Sequence, residues 1–222
     1  PRIIDIARLI PVYHTGMIRA ENADPATKYV KRFDFLAKGE RLFKKNNYSK
    51  MSSREIRMCE ILMTDPHPNV CTYHGVTLDE NGVISGLVFD KYQTTLWDLI
   101  TQGVVFDTKK CMNDIQKGIS HLHNNDMVHC DIKPENILAE KIEHGPLKGS
   151  YHFVVGDFDS THFTGTKLTL KGGTHGWSLS RYTEAWPEND YYGLSMIRYW
   201  LEKKGWSREK VKPVAVDTTW IL

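Results

Sequence analysis

The sequence has few of the features that mark a specialised class of protein. Its four cysteines, Cys59, Cys71, Cys111 and Cys130, are far apart and form no C-x-x-C pair. That spacing removes support for a zinc ribbon or a thioredoxin-type redox site. Four cysteines in 222 residues do not make a disulfide scaffold either, so a reducing compartment is the simpler expectation. No apolar run approaches the length of a bilayer span, and the N-terminus shows no signal-peptide pattern. A cytoplasmic protein is expected, with the nucleus as the alternative. Charge of neither sign is in excess: 29 Lys and Arg stand against 27 Asp and Glu, a formal net charge of +2. Neither nucleic acid nor membrane is therefore expected as a partner. Lys44-Lys45 and Lys109-Lys110 are short basic pairs that read as solvated faces. Among the ten histidines, His121 and His123 lie two apart, the wrong spacing for one helix face, so no metal site is expected from them. The chain begins with Pro1 and not Met, which reads as a fragment or a processed product.

What is present is enough length for one large domain or two lobes with real cores, in a composition ordinary for a globular protein. The stretch His-Cys-Asp-Ile-Lys-Pro-Glu-Asn, His129 to Asn136, concentrates chemistry. Asp131 offers a proton acceptor. Lys133, two positions on, carries a fixed positive charge. Asn136, five positions after the aspartate, offers a neutral oxygen ligand. A polar surface loop is the plain alternative, but Ile132, Pro134 and the apolar Ile137-Leu138 match a further pattern. The segment resembles the catalytic loop of protein kinases, H-x-D-x-K-P-x-N, in its serine/threonine-type version. The resemblance implies that Asp131 serves the substrate hydroxyl, Lys133 the phosphate in transfer and Asn136 a magnesium ion.

Upstream, residues 2–33 read as strands with turns, with Met17-Ile18 resuming the apolar stretch begun at Ile3 and Tyr29-Val30-Lys31 as a third strand. Lys31 resembles the strand lysine that neutralises ATP phosphates, and Lys28 competes for the role. No G-x-G-x-x-G precedes it; only Gly16 sits in the expected hairpin. Residues 34–50 read as a charged linker, and Ser52-Ser53 as the start of a helix with Ile56, Cys59 and Met63 on one face. The resemblance makes Glu55 the partner of the strand lysine, with Glu60 second. His67-Pro68 ends that helix, Asn81-Gly82 is a hairpin turn, and Val83 to Phe89 is a strand. Leu87 to Tyr92 resembles the last small-lobe strand and the hinge. It implies Phe89 beside the adenine pocket, with the Asp90 carbonyl and the Tyr92 amide on the adenine edge. A plain buried strand predicts the same residues.

Leu96 to Ile100 opens the larger lobe, and Asp107 or Thr108 caps a helix with Cys111, Met112, Ile115, Ile119 and Leu122 on one face. Residues 139–150 read as a surface insertion and Tyr151 to Val155 as a strand. Gly156-Asp157-Phe158-Asp159 resembles the D-F-G magnesium loop with aspartate for its glycine. That implies Asp157 on the metal and Phe158 in the core, with Asp159 tolerating the left-handed backbone of the glycine position and putting an extra negative charge near the phosphates unless it points away. Thr161 to Lys171 reads as a short activation segment. Gly173-Thr174-His175-Gly176-Trp177 resembles the substrate-binding turn, which implies that Thr174 contacts Asp131 and Lys133. Leu179-Ser180-Arg181 stands where A-P-E belongs. Glu188 to Asp190 starts a helix over Tyr191 to Leu201, where Asp190 resembles the family's buried brace of the catalytic loop; a helix N-cap is the plain reading, and both roles can hold at once. Cys130 replaces the arginine before the catalytic aspartate, which implies activity independent of segment phosphorylation.

The motifs, in family order over residues 27–203, identify a divergent member of the eukaryotic-type serine/threonine kinase family, similar to a group associated with fungi. The implied fold is α+β and bilobal: a small antiparallel sheet with one helix over residues 1–92, and a mostly helical, shortened lobe over 93–222. The implied function is transfer of the ATP γ-phosphate to a protein hydroxyl, with magnesium, or alternatively manganese, as the metal. A pseudokinase scaffold and a small-molecule kinase are the competing readings.

Overall fold

The computed structural model describes residues 10–33 and 47–203. The apolar stretch at Ile3–Leu9, Lys44-Lys45 and most of the expected linker lie outside the described residues. The chain divides into two compact units. One holds residues 10–33, 47–66 and 72–91, the other 67–71 and 92–203. Both helices and antiparallel sheets are present, so the α+β expectation holds.

In the smaller unit, β1 (Lys28–Arg32), β2 (Tyr73–Leu78) and β3 (Ile84–Asp90) form an antiparallel sheet in the order β1-β3-β2. The β2–β3 hairpin turns at Asn81-Gly82. There Asp79 Oδ1 accepts the amides of Asn81 and Val83, both at 2.9 Å. Met17-Ile18 forms no strand: contact with β2 is a single bridge, Arg19 to Val76, flanked by two backbone hydrogen bonds. Helix α1 (Asn47–Thr64) begins before Ser52, the start expected from its sequence. Tyr48 and Met51 are buried and carry its apolar face back one further turn. The same face closes on Leu62, leaving Met63 exposed instead of buried.

In the larger unit, Asp107 caps α3 (Thr108–Asn124) by accepting the Lys110 amide. Its buried face is Cys111, Ile115, Ile119 and Leu122, with Met112 at the margin. The short α2 (Leu96–Thr101) is capped by Thr95. Strands β4 (Thr94–Thr95), β6 (Ile137–Lys141) and β7 (Tyr151–Val155) form one sheet, order β4-β6-β7. The expected insertion is therefore shorter, because residues 139–141 belong to β6, where Ala139 is buried. A second small pairing joins β5 (Met127–Val128) to β8 (His162–Phe163). Helix α4 (Pro187–Glu202) starts at a first-turn proline, with the Asn189 side chain accepting the Trp186 amide. Asp190 is therefore inside the first turn and is not the cap. No described helix is long and apolar enough to cross a membrane.

Candidate active site

Two hairpin ends of the larger unit build the site. The 129–136 loop leaves β5 and enters β6, while β7 runs antiparallel to β6 with Val155 opposite Ile137. That register brings Gly156 to the end of the loop, where its amide donates to the Asn136 carbonyl at 2.9 Å. His129 makes a second tie: its Nε2 meets the Gly156 carbonyl at 2.9 Å, and its Nδ1 accepts the Asp131 amide at 3.3 Å. An accepting Nδ1 leaves the proton on Nε2. Beneath the loop, buried Asp190 accepts the amides of His129 and Cys130, and its Oδ2 also meets His123 Nε2 at 2.9 Å. Asp190 is thus the brace anticipated from its position. Helix α4 approaches so closely that a Cβ on Gly193 would lie 2.6 Å from the Ile132 carbonyl oxygen.

Asp131, 1% exposed, is the centre of the polar contacts. Its Oδ2 accepts from Lys133 Nζ at 2.9 Å, and Lys133 Nζ donates again to Thr174 Oγ1 at 2.8 Å. Asn136 Nδ2 donates to the Asp131 carbonyl at 2.9 Å. This commits the amide nitrogen, and the amide oxygen is the atom of the kind that magnesium takes. Asp131 Oδ1 is buried without a hydrogen-bond partner, an uncommon condition that points to an acceptor awaiting a donor. Gly173, at φ +96°, lets the Thr174 turn descend onto the loop; a Cβ there would meet the Cys130 carbonyl oxygen at 2.5 Å.

Asp157 follows Gly156 in a left-handed backbone, φ 61°. The sequence reading gave that conformation to Asp159, which instead lies in a single 3-10 turn, Phe158–Ser160. Phe158 is buried against the edge of His129. Asp159 is also buried, and its extra charge is met: Oδ1 accepts from Lys171 Nζ at 2.5 Å and from Ser160 Oγ at 3.1 Å. The same Lys171 Nζ lies 3.6 Å from Asp131 Oδ2. Sequence reasoning placed Lys171 only as the end of a segment. The usable signal was the buried-type position of Asp159, whose charge demands a cation nearby.

The charges account for the protonation states. Burial alone would raise the Asp131 carboxyl; Lys133, Lys171 and the hydrogen bonds of Lys133 and Thr174 outweigh it and hold the group below its ordinary value. Burial alone would lower the Lys171 ammonium, and Asp159, Asp157 and Asp131 together push it up instead. Asp131 is therefore an anion at neutral pH, and a weak base suited to orienting a hydroxyl.

In the smaller unit, Lys31 Nζ donates to Glu55 Oε1 at 2.5 Å. Lys28 is engaged elsewhere, with Asp90 Oδ1 at 2.7 Å and His74 at 2.8 Å. Glu60 accepts the Ile18 amide and the Tyr73 hydroxyl. Phe89 is buried beside Tyr73. The Asp90 amide donates to the Thr72 carbonyl, and its side chain is taken by Lys28 and His74. Tyr92 falls in the larger unit and is half-buried. Gly16 lies in a turn closed by the Met17 amide on the His14 carbonyl at 2.9 Å.

Residues 28–201 match the protein kinase domain family. The chain belongs to that family. The kinase domain is 32% identical over 108 residues to the calcium/calmodulin-dependent protein kinase type II alpha chain of Drosophila melanogaster, a match covering 43% of this chain and 18% of the relative. It thus spans under a quarter of the length of the curated relatives it matches first. Among solved structures it is similar to the yeast RNA Pol II CTD kinase CTDK-1 complex, with a TM-score of 0.59, 18% identity, and 87% of this chain against 66% of that one. It is also similar to the Cydia pomonella granulovirus kinase PK-1, with a TM-score of 0.56, 19% identity, and 71% against 59%. At those identities the likeness is one of fold. A protein kinase domain implies ATP and a divalent metal in general, and this one's donors fit. Asn136 and Asp157 carry hard oxygen donors, and magnesium takes one or two such groups plus phosphates. Among the described residues no three His, Cys, Asp or Glu are gathered into a self-sufficient cage.

Proposed function

We propose that the chain is an active phosphotransferase that moves the ATP γ-phosphate to a serine or threonine hydroxyl of a protein. The observation that carries this reading is the Lys133 ammonium shared by Asp131 Oδ2 and Thr174 Oγ1, beside a buried Asp131 Oδ1 with no donor. An incoming hydroxyl satisfies that oxygen. Asp131 would orient the hydroxyl and accept its proton, and Lys133 would steady the phosphoryl group in flight. Asn136 and Asp157 would hold a magnesium ion, or manganese, whose charge offsets that of the phosphates. Lys31, steadied by Glu55, is assigned to the nucleotide phosphates, and Phe89, Asp90 and Tyr92 to its adenine. Because phosphoryl transfer needs little covalent help from the protein, such positioning and charge would supply most of the rate.

The test is γ-phosphate transfer from labelled ATP to peptide libraries, with wild type beside Asp131→Asn. Transfer is expected to fall by roughly a thousandfold in the variant. Equal negligible rates with either metal would leave a pseudokinase. Silent peptide libraries beside labelling of a metabolite pool would mark a small-molecule kinase.

A further inference from the structure

Kinase activation segments are commonly ordered when an added phosphate pairs with arginine. Where the family pattern has that arginine, position 130 is a buried cysteine whose Sγ donates to the Val128 carbonyl at 3.4 Å. Yet the segment is held down at both ends. Near its start, β8 pairs with β5. Near its end, Lys133 bonds Thr174, and the Gly173 backbone lies close enough to the Cys130 carbonyl that a Cβ there would meet its oxygen at 2.5 Å. Between these, Leu168 packs on the small apolar cluster of Val128, Cys130 and Ala185. The one ammonium that the segment contributes to the polar centre is Lys171, and it ends on Asp159, the residue standing where the family has glycine.

We propose that Lys171 is a positioning residue: clamped by Asp159, it holds the 161–174 segment on the 129–136 loop in the unphosphorylated chain. The two departures from the family pattern then explain each other. Losing the cation at 130 removes the receptor for a phosphate, and gaining a carboxylate at 159 supplies a receptor for a lysine. The pair is a permanent counterpart of the phosphate–arginine contact, with the charges exchanged between segment and core. Its carboxylate is buried and also bonded to Ser160, and its ammonium is half-buried, so the pair is screened less than a surface pair. The 3.6 Å approach to Asp131 places a second cation beside the carboxylate that Lys133 already holds, so the clamp also sets where Asp131 Oδ2 sits. The rate consequence rests on the proposed transfer activity; the ordering consequence does not.

The experiment uses phosphatase-treated protein, shown free of phosphate by intact mass, as wild type, Lys171→Met, Lys171→Arg, Asp159→Asn and the double variant Asp159→Asn with Lys171→Met. Amide exchange across 161–178 reads the ordering, and kcat and KM read its effect. Lys171→Met is expected to speed exchange there about tenfold. It should also lower kcat about tenfold, with KM for ATP within about twofold of wild type. Lys171→Arg should restore both. The double variant should be no worse than the poorer single, as expected of two groups acting as one. A wild type that transfers no phosphate would sink the proposed function and leave exchange alone to decide the clamp. Exchange in Lys171→Met within about twofold of wild type, or fully additive single effects, would overturn the clamp.

Discussion

The Cys130 amide donates to Asp190 Oδ1 at 2.7 Å, and Cys130 itself has φ 64°. A non-glycine residue in that region carries a strain of roughly 1–3 kcal/mol and persists only where its surroundings hold it. Here the holding group is a fully buried carboxylate that also takes the His129 amide at 2.8 Å. Asp190→Ala would strand both donors as well as release the strain. The expected loss is about 3–5 kcal/mol in denaturant unfolding. Asp190→Asn, which keeps one acceptor oxygen, should lose less. An alanine variant within about 1 kcal/mol of wild type would show that the loop is held by something else.

The Lys31–Glu55 pair separates stability from activity. Glu55 is almost wholly buried, so Lys31→Met leaves a desolvated carboxylate and should cost about 1–3 kcal/mol. Adding Glu55→Gln removes that charge and should return part of the loss, a coupling measurable in a double-mutant cycle. Phosphate transfer should not return with it, because the double variant has stability without the ammonium. Recovery of transfer in the double variant would mean that Lys31 serves only to balance Glu55.

Acid stability should carry a signature of Asp90. Burial raises its carboxyl, but hydrogen bonds from Lys28, His74 and Thr72 and the charge of His74 outweigh that, and the folded value lies below the ordinary 3.8. The folded form therefore binds fewer protons than the unfolded form near that pH. Its contribution is fully present above about pH 4 and fades as the pH falls through the folded value. Asp90→Asn should lower Tm above about pH 4, where that contribution is fully present, and flatten its fall as the pH drops further, so that the two curves converge in acid. Superimposable acid limbs for the two proteins would place the titration elsewhere.

The residues of the two polar motifs could be found in the sequence because their chemistry demands fixed spacings: Asp131, Lys133 and Asn136 sit on one short loop, and Asp157 follows a strand of buried β-formers. Strand β7 and the α3 face were legible for the same reason, a strong local pattern, whereas β4, β5 and β8 are two-residue strands too short to show one and the end of β6 was read as an insertion. Lys171 was not, since a lysine in a polar segment looks the same whether it is solvated or paired with a carboxylate 12 residues away. The start of α1 was missed because Tyr48 and Met51 stand among charged and polar residues that mimic a linker. The left-handed residue was misplaced by one rule applied too locally. Asp159 stands at the glycine position, but the turn Phe158–Ser160 transfers the unusual φ to Asp157.

Gly193 gives the most direct test of how α4 supports the loop. In an ordinary helix interior, Gly→Ala gains about 1 kcal/mol from propensity. At Gly193 the new methyl would sit 2.6 Å from the Ile132 carbonyl oxygen and 2.8 Å from the Ile132 Cβ. Both are backbone-anchored atoms that cannot swing aside, so the loop or the helix must shift. Overpacking of this kind costs about 1–3 kcal/mol, and Gly193→Ala should be destabilising by the excess over propensity. Ile132 lies between Asp131 and Lys133, so the displacement directly reaches the carboxylate proposed to orient the hydroxyl. A fall in kcat of about tenfold is expected with KM for ATP nearly unchanged, because the nucleotide contacts assigned to Lys31 lie outside the displaced loop. A variant more stable than wild type, with unchanged kcat, would show that α4 does not press on the loop at Ile132.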